Sequence, residues 1–277
     1  LRCWNQNFRG RMIMRVTINK LQKMKDEGFS IPMISAYDYT SACILEDAGI
    51  PIILVGDSLG NVVLGYDSTI PVTMDDMLRH TQMVVRGTKK AHIVGDMPFM
   101  SYQTGVRDAI CNAGRLIKEG GCQSVKLEGG EPIVEIVQSL VQFGIPVMGH
   151  LGLTPQSVNQ LGGYRVQGKE DSSGEKLLNE ALMLQNAGAY AIVLELVPAK
   201  LAEKITASLD IPTIGIGAGP KCDGQVQIFH DMLGLFPDFS PKHARKYMDL
   251  NIEIKKAVQG YIKDVQKGLF PSDQESF

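Results

Sequence analysis

The sequence predicts an α/β fold, a single (β/α)8 barrel of the TIM type, and two observations support this prediction. Short apolar runs rich in β-branched residues alternate about eight times with amphipathic stretches. The runs are apolar at nearly every position, as in parallel strands covered by helices, and eight such units fit the roughly 250 residues of a barrel. An open, doubly wound sheet is the alternative. The turn after the first run lacks the G-x-G-x-x-G pattern of its usual dinucleotide site.

The elements follow one another in a regular order. The predicted strands are IPMISAYD, PIILVGD, HIVGD, SVKLE, IPVMGH, AIVLE, IPTIGIG and a weaker eighth near LFPDFS. Helical patterns lie between them at 74–89, 105–119, 131–143 and 175–187, and several end in glycine, which caps helices. The segment VTINKLQKMKDEG predicts an extra N-terminal helix. Residues 242–267 predict a long C-terminal helix suited to an oligomer contact.

The predicted domain organisation is simple. Residues 1–14 are basic and lack periodicity, so we interpret them as an extension outside the fold, either disordered, an added upstream segment or part of a transit sequence. Residues 15–277 then form one catalytic barrel domain. We see no linker, low-complexity segment or internal repeat beyond the strand–helix unit.

Composition narrows the class of function. Hydrophobic residues make up 44% of the chain, charged residues 21%, and the formal net charge is -2. Without a basic run we expect no nucleic-acid partner, and without an apolar segment of about 20 residues we expect no membrane partner. The five cysteines are scattered and form no C-x-x-C pair, which indicates neither disulfides nor a zinc site. We therefore expect a cytoplasmic protein that acts on small molecules.

Acidic residues stand at the ends of several predicted strands. Asp38 and Asp57 follow the first two, Asp96 the third, Glu128 the fourth and Glu195 the sixth. The carboxyl ends of barrel strands meet at one mouth, where several carboxylates would repel one another unless a cation lay among them. Oxygen ligands favour Mg²⁺ or Mn²⁺. Any one of these acids could instead cap the next helix, and we expect that role for Asp38.

Two basic side chains belong to the same predicted mouth. Lys126 lies two residues before Glu128, so both side chains leave the same face of a strand, and Lys126 can meet that carboxylate or an acidic substrate. A buried ion pair without a ligand and a Schiff-base lysine are the alternatives. His150 begins the polar, glycine-rich segment 149–169, which has the length of a lid, and could bind substrate or be a core histidine.

Long motifs in this order resemble one known family. AYDYTSA, ILVGDSLG, VLGYDSTIPVT, DMPFMSY, VKLEGG, GHLGLTPQSVNQLGGYRVQGK, LELVP, IGIGAG, DGQ and HDMLG look like the ketopantoate hydroxymethyltransferase family over about 16–277. The resemblance implies a Mg²⁺-dependent barrel that transfers a hydroxymethyl group from 5,10-methylenetetrahydrofolate to 3-methyl-2-oxobutanoate in pantothenate biosynthesis. It also implies a homodecamer, and a fold similar to that of enzymes acting on phosphoenolpyruvate and related oxo acids.

The resemblance also implies roles for single residues. Its metal carboxylates fall on Asp57 and Asp96, with Glu128 near the metal directly or through water. Its catalytic base falls on Glu195. We expect substrate to be bound by the set Asp57, Ser58, Asp96, Lys126 and His150.

Three other functions are compatible with a barrel of this kind. One is a carbon–carbon lyase or phosphonate mutase acting on a pyruvate-like acid, for which folate would be dispensable. Another is a metal-free Schiff-base aldolase that uses Lys126. The third is a catalytically silent binding module, which would not need acids at the strand ends.

Overall fold

The computed structural model describes residues 14–236 and 241–277. The chain divides into two compact units, Leu1–Val226 and Gln227–Phe277. Eight strands form a closed barrel in chain order, and neighbouring strands are parallel. The strands are β1 Ile31–Ser35, β2 Ile52–Val55, β3 His92–Asp96, β4 Ser124–Glu128, β5 Val147–Gly152, β6 Ala191–Glu195, β7 Thr213–Ile216 and β8 Gly224–Ile228. This architecture confirms the predicted (β/α)8 barrel.

In the described part of the chain, helices lie between the first seven strands, one helix precedes β1, and two follow β8. The helices are α1 Ile18–Asp26, α2 Tyr39–Asp47, α3 Leu59–Val62, α4 Met74–Arg86, α5 Val106–Arg115, α6 Val134–Gln142, α7 Val158–Leu161, α8 Asp171–Asn186, α9 Ala199–Ser208, α10 Phe229–Met232 and α11 Leu250–Gln266. A π-helical turn, Leu116–Gly120, extends α5, and short 3-10 turns span Glu131–Ile133 and Pro155–Ser157. The helices predicted between the strands are all present.

The barrel has a buried apolar cluster to which seven of the eight strands contribute. Met33, Ile52, Val94, Met148 and Ile214 belong to it, from β1, β2, β3, β5 and β7. Leu21 of α1 is part of the same cluster, so the predicted N-terminal helix packs against the barrel core.

Local sequence signals set the helix boundaries. Thr73 and Asp76 form a reciprocal capping box at the start of α4. At the other end of that helix the Arg15 guanidinium donates to the carbonyl oxygens of Val85 (3.1 Å) and Thr88 (2.8 Å). A cation is stabilising at a helix C-terminus, where the last carbonyl groups lack partners within the helix.

Two elements differ from the predictions. The eighth strand is GQVQI at β8 and not LFPDFS, of which residues 237–240 lie outside the described residues. β8 alternates polar and apolar residues, so its sequence lacks the continuous apolar run by which the other strands were predicted. The C-terminal helix begins at Leu250 and not at 242. Residues 1–13 also lie outside the described residues, so the interpretation of 1–14 stays a prediction.

Within residues 14–236 and 241–277 we find no helix with the length and apolar character required to cross a bilayer.

A buried polar chain lies at the amino end of the barrel. His92, the first residue of β3, contacts the Val16 carbonyl through Nδ1 (2.9 Å) and the Ser124 hydroxyl through Nε2 (2.8 Å). The Ser124 hydroxyl lies 2.9 Å from the Tyr190 hydroxyl. A neutral ring with Nδ1–H donating to the carbonyl can accept from Ser124, so every group is satisfied. Burial, with a smaller contribution from Arg15, lowers the pKa of His92 from 6.5 to about 4 despite the Val16 carbonyl.

This pKa predicts an acid-sensitive fold. The folded chain keeps His92 neutral down to pH about 4, whereas the unfolded chain protonates it below 6.5. The unfolded state therefore binds more protons in this window, so stability falls as the pH falls, by about 2 kcal/mol between pH 7 and pH 5. Urea unfolding at the two pH values should show a smaller loss for His92→Gln than for the wild type. His243→Gln, at a half-exposed histidine, should keep the wild-type pH slope; equal slopes in all three proteins would contradict the assignment.

Candidate active site

Strand register brings charged side chains from four strands into one row at the carboxyl end of the barrel. Asp96 of β3 pairs with Lys126 of β4, and Glu128, two residues further along β4, pairs with His150 of β5. His150 pairs in turn with Val193 of β6, and Glu195 lies two residues beyond that position. Residues two apart on a strand share a face, so these five side chains enter the same mouth.

The charges in this row alternate in sign. Lys126 Nζ lies 2.9 Å from Asp96 Oδ1 and 3.5 Å from Glu128 Oε1. His150 Nδ1 lies 3.4 Å from Glu128 Oε1, and its Nε2 lies 3.2 Å from Glu195 Oε2. We call the residues Asp96, Lys126, Glu128, His150 and Glu195 the charge ladder. All but Glu195 are fully buried, so each charge depends on its neighbours rather than on water.

The ladder fixes the protonation of its two cations. Burial opposes the charged form of Lys126, yet the carboxylates of Asp96, Glu128 and Asp57 raise the pKa of the amine. Burial and Lys126 likewise oppose protonation of His150, but Glu128 and Glu195 raise the pKa of this histidine to about 9. Both groups are therefore cationic near neutral pH.

Asp57 adds a fourth carboxylate beside the ladder. It follows β2 directly, and its backbone N–H donates to Asp96 Oδ2 at 3.0 Å. Burial, followed by repulsion from Asp96 and Glu128, raises the pKa of Asp57 well above its usual value. Burial also raises the pKa of Asp96, although Lys126 opposes the shift. The two aspartates thus share a dry, electronegative corner.

The donor set of this corner fits a hard divalent cation. Across residues 14–236 and 241–277 no three His, Cys, Asp or Glu side chains converge as a ligand cluster. The corner itself offers the carboxylate oxygens of Asp57 and Asp96, which the Asp57 backbone N–H joins. The partner of Asp96 Oδ1 within the described chain is the Lys126 ammonium, which lies 2.9 Å away. Mg²⁺ is commonly held by one or two carboxylates, with water or substrate completing its shell. When all four carboxyl groups are ionised, they exceed the two cations by two negative charges, and one Mg²⁺ would neutralise this excess.

Glu128 is placed differently from the aspartates. Its Oε1 faces Lys126 and His150, and its Oε2 accepts from the Gln156 backbone N–H at 3.0 Å. Burial raises the pKa of Glu128, but Lys126 and His150 outweigh burial and lower it overall. Both oxygens are therefore engaged within the protein, an arrangement that favours contact with a metal through water over direct ligation.

Glu195 ends the ladder on the side that faces solvent. Its side chain is 17% exposed, against 2% for Glu128. Leu196, the next residue, has a left-handed backbone with φ of 45°, which is uncommon for a residue with a side chain. On the neighbouring strand β5, Gly152 has φ of 93°, and a Cβ at this position would lie 2.2 Å from the Glu195 carbonyl oxygen. The backbone that carries Glu195 is thus tightly constrained.

Ser58 and Asp38 have distinct positions. The Ser58 hydroxyl lies 2.8 Å from the Tyr37 hydroxyl, which is also 2.7 Å from the buried Ser35 hydroxyl. Ser58 directly follows Asp57, so it lies beside the carboxylate corner. Asp38 caps α2, where its carboxylate accepts from the Ser41 backbone N–H and hydroxyl. This is the role expected for it from the sequence.

The sequence analysis missed a polar cluster around Gln156. This buried side chain lies in the 3-10 turn of the predicted lid and donates to Asp57 Oδ2 and to the Met97 carbonyl, both at 2.9 Å. The Tyr102 hydroxyl contacts Gln156 Oε1 and the Glu128 carbonyl, also at 2.9 Å each. Both residues fall inside motifs that carry the family resemblance, but no spacing or periodicity distinguishes them from other loop residues.

The sequence is similar to proteins of one family. A sequence profile described as "Ketopantoate hydroxymethyltransferase" matches residues 15–273. A 3-methyl-2-oxobutanoate hydroxymethyltransferase from Carboxydothermus hydrogenoformans is 59% identical over 263 residues, 95% of each chain. The protein of the same name from Dehalococcoides mccartyi is 60% identical over 264 residues, 95% of this chain and 94% of that protein.

Solved structures with much lower identity share the fold. A 2,3-dimethylmalate lyase of the PEP mutase/isocitrate lyase superfamily has a TM-score of 0.59 at 17% identity, covering 94% of this chain and 91% of that chain. A phosphonopyruvate hydrolase solved with oxalate and Mg²⁺ also has a TM-score of 0.59, at 13% identity, covering 93% and 92% of the two chains.

Removal of the Lys126 charge from the ladder should destabilise the protein, and the size of the loss should depend on pH. In Lys126→Met the buried carboxylates lose their shared partner, so we expect a loss of about 3–5 kcal/mol in the free energy of unfolding at pH 8 with EDTA present. The unpaired carboxyl groups then have raised pKa values in the folded state. Because protonation relieves their repulsion, the loss should shrink as the pH falls to 5.

Urea unfolding at both pH values measures this effect. Lys176→Met is the matched control, since this lysine is 70% exposed in its pair with Glu180 and its loss should cost less than about 1 kcal/mol. A Lys126→Met protein as stable as this control at pH 8 would contradict the interpretation of the ladder.

Proposed function

The chain belongs to the ketopantoate hydroxymethyltransferase family, and on that premise we propose that it transfers a hydroxymethyl group from 5,10-methylenetetrahydrofolate to 3-methyl-2-oxobutanoate. The product is 2-dehydropantoate, in the first step of the pantothenate branch. The observation that carries the proposal is the row of charges that runs from the Asp57–Asp96 corner to Glu195. It supplies a cation site, a carboxylate-binding cation and a base in one mouth.

Asp57 and Asp96 are the proposed magnesium ligands, with Glu128 supporting them through water. Mg²⁺ held there would act as a Lewis acid on the ketone oxygen of the oxo acid. Support comes from the two buried aspartates: burial, followed by repulsion from Asp96, raises the pKa of Asp57, and a cation would relieve this repulsion.

Lys126, Ser58 and His150 are proposed to bind the oxo acid. Lys126 stays cationic and lies at the centre of the ladder, where it can neutralise the substrate carboxylate. The Ser58 hydroxyl, oriented by Tyr37, can donate to the same carboxylate. These contacts hold the C3–H bond of the substrate in a fixed direction, which lowers the entropic cost of the reaction.

Glu195 is the proposed base that removes the proton from C3. The C3–H bond breaks, the proton goes to a Glu195 carboxylate oxygen, and the electron pair is delocalised as an enolate. Hydrolysis of the iminium form of the folate consumes one water and releases tetrahydrofolate and a one-carbon aldehyde. The enolate carbon then forms a bond to the aldehyde carbon, whose oxygen takes up a proton to become the new hydroxyl group.

The segment 149–169 is proposed to limit water around the enolate. Its first turn is bonded into the site through Gln156, and near its end the Gln167 backbone N–H donates to the Leu196 carbonyl at 2.9 Å. Both ends of the segment are therefore attached beside the reacting groups. Exclusion of water there would protect a reactive carbanion from premature protonation.

We also propose that the protein is a homo-oligomer, with the decamer implied by the family resemblance as the expected size. In the second unit, six apolar side chains of α11 are 46–56% exposed, and a helix with so many exposed apolar groups is typical of an interface. They are Ile252, Ile254, Val258, Tyr261, Ile262 and Val265. A monomeric sedimentation coefficient for the full chain would refute this proposal.

The free cysteines of the described residues support a reducing, cytoplasmic location.

An assay with purified protein tests the proposed reaction. We expect 3-methyl-2-oxobutanoate to be converted only when methylenetetrahydrofolate and Mg²⁺ are both present, and EDTA to abolish turnover. Turnover without folate would indicate a lyase or mutase instead. Borohydride trapping of substrate on Lys126, with indifference to EDTA, would indicate a Schiff-base aldolase; the raised pKa of Lys126 disfavours this, because a Schiff base needs a neutral amine.

The role of Glu195 can be tested apart from the folate step. Glu195→Gln should bind substrate and Mg²⁺ but lose exchange of the C3 proton with D₂O by at least about a hundredfold, since general base catalysis contributes this much. NMR of the substrate in D₂O measures the exchange. Glu203→Gln, at an exposed glutamate on α9, should exchange at the wild-type rate. Normal exchange in Glu195→Gln would reject this residue as the base.

A further inference from the structure

Gln156 contacts three strand ends of the barrel, two through its side chain and one through its backbone N–H. It is 4% exposed in the 3-10 turn Pro155–Ser157, which follows β5. Its Nε2 donates to Asp57 beyond β2 and to the Met97 carbonyl beyond β3. Its backbone N–H donates to Glu128 at the end of β4. No step of the proposed chemistry uses this residue.

The orientation of the Gln156 amide is determined by its neighbours. Both hydrogens of Nε2 are used, by Asp57 Oδ2 and by the Met97 carbonyl, each at 2.9 Å. Oε1 lies 2.9 Å from the Tyr102 hydroxyl and 3.1 Å from Gln103 Nε2, which can donate to it. A flipped amide would place its oxygen against a carboxylate and a carbonyl oxygen. These four hydrogen-bond contacts therefore fix the Gln156 amide in one orientation, with its N–H groups toward Asp57 and Met97.

This geometry restrains the Asp57 carboxylate. One oxygen, Oδ2, is held by Gln156, and the backbone N–H of Asp57 is held by Asp96. The carboxylate consequently has a fixed plane, and Oδ1 is the oxygen that remains for a cation. The backbone N–H of Gln156 restrains Glu128 in the same way from the other side of the corner.

We propose that Gln156 is a positioning residue for the cation, setting the Asp57 carboxylate and coupling the segment 149–169 to metal binding. This inference rests on the proposed function, which supplies the Mg²⁺. Since the first turn of the segment donates to both Asp57 and Glu128, ordering of the turn and binding of the cation favour each other, and this coupling is reciprocal.

Isothermal titration of the full-length protein with Mg²⁺, without substrate, tests the inference. Gln156→Leu should bind Mg²⁺ about tenfold more weakly than the wild type, a loss in the range for one hydrogen bond to a charged group. Gln103→Leu is the matched control: it removes one contact to Oε1 and keeps the Asp57 bond, so its affinity should equal that of the wild type. In activity assays, Gln156→Leu should show a raised KM for Mg²⁺ and recover turnover as Mg²⁺ is increased.

Each outcome decides between the alternatives. Wild-type affinity for Mg²⁺ in Gln156→Leu, or an equal loss in Gln103→Leu, would overturn the positioning role. Lost turnover that high Mg²⁺ does not restore would also overturn it. If Gln156→Leu fails to fold, Gln156→Asn keeps the amide but is one methylene shorter, and it should also bind Mg²⁺ more weakly. Absence of Mg²⁺ binding by the wild type would instead refute the proposed function.

Discussion

Alternation of charge along the ladder is the constraint on which the rest of this mouth depends. Buried carboxylates are tolerated only with partners, and here each buried charge of the ladder has an opposite charge within 3.5 Å. The partners are cross-strand neighbours, as Asp96 and Lys126 or Glu128 and His150 are. A slip of one residue in the register would turn these side chains to the opposite face. The closed barrel and the charge pattern therefore stabilise the same register.

The two ends of the barrel differ in character: the amino end is suited to stability and the carboxyl end to chemistry. At the amino end, His92 and its hydroxyl partners are neutral and fully satisfied, which suits a packed core. At the carboxyl end, Leu196 holds a left-handed backbone immediately after Glu195. Three backbone bonds hold this segment, from Leu153 N–H to the Glu195 carbonyl, from Leu196 N–H to Ile216, and from Gln167 N–H to the Leu196 carbonyl. Such strain persists only where surrounding structure determines it, and it is concentrated where a side chain must be aimed.

Much of the site was predictable because a barrel converts sequence position into spatial position. A residue near the carboxyl end of an apolar run lies at the mouth of a barrel. This rule predicts that Asp96, Lys126, Glu128 and His150 meet there, and the structure brings these side chains together. The eighth strand was misplaced because GQVQI has no continuous apolar run. Gln156 was missed for a different reason: its role depends on the path of a loop between distant strand ends, and neither strand period nor helix period describes such a path.

Position in the ladder also explains why we propose different roles for chemically similar carboxylates. Glu128 lies between Lys126 and His150 and accepts a backbone N–H, so its charge is compensated on every side and its basicity is low. Asp96 is tied to Lys126 and to the Asp57 backbone, so it is fixed in place and suited to hold a cation. Glu195 has His150 on its inner side and solvent on its outer side. Among the carboxylates of the ladder Glu195 is therefore the one that substrate can reach from solvent, which is the geometric reason for proposing it as the general base.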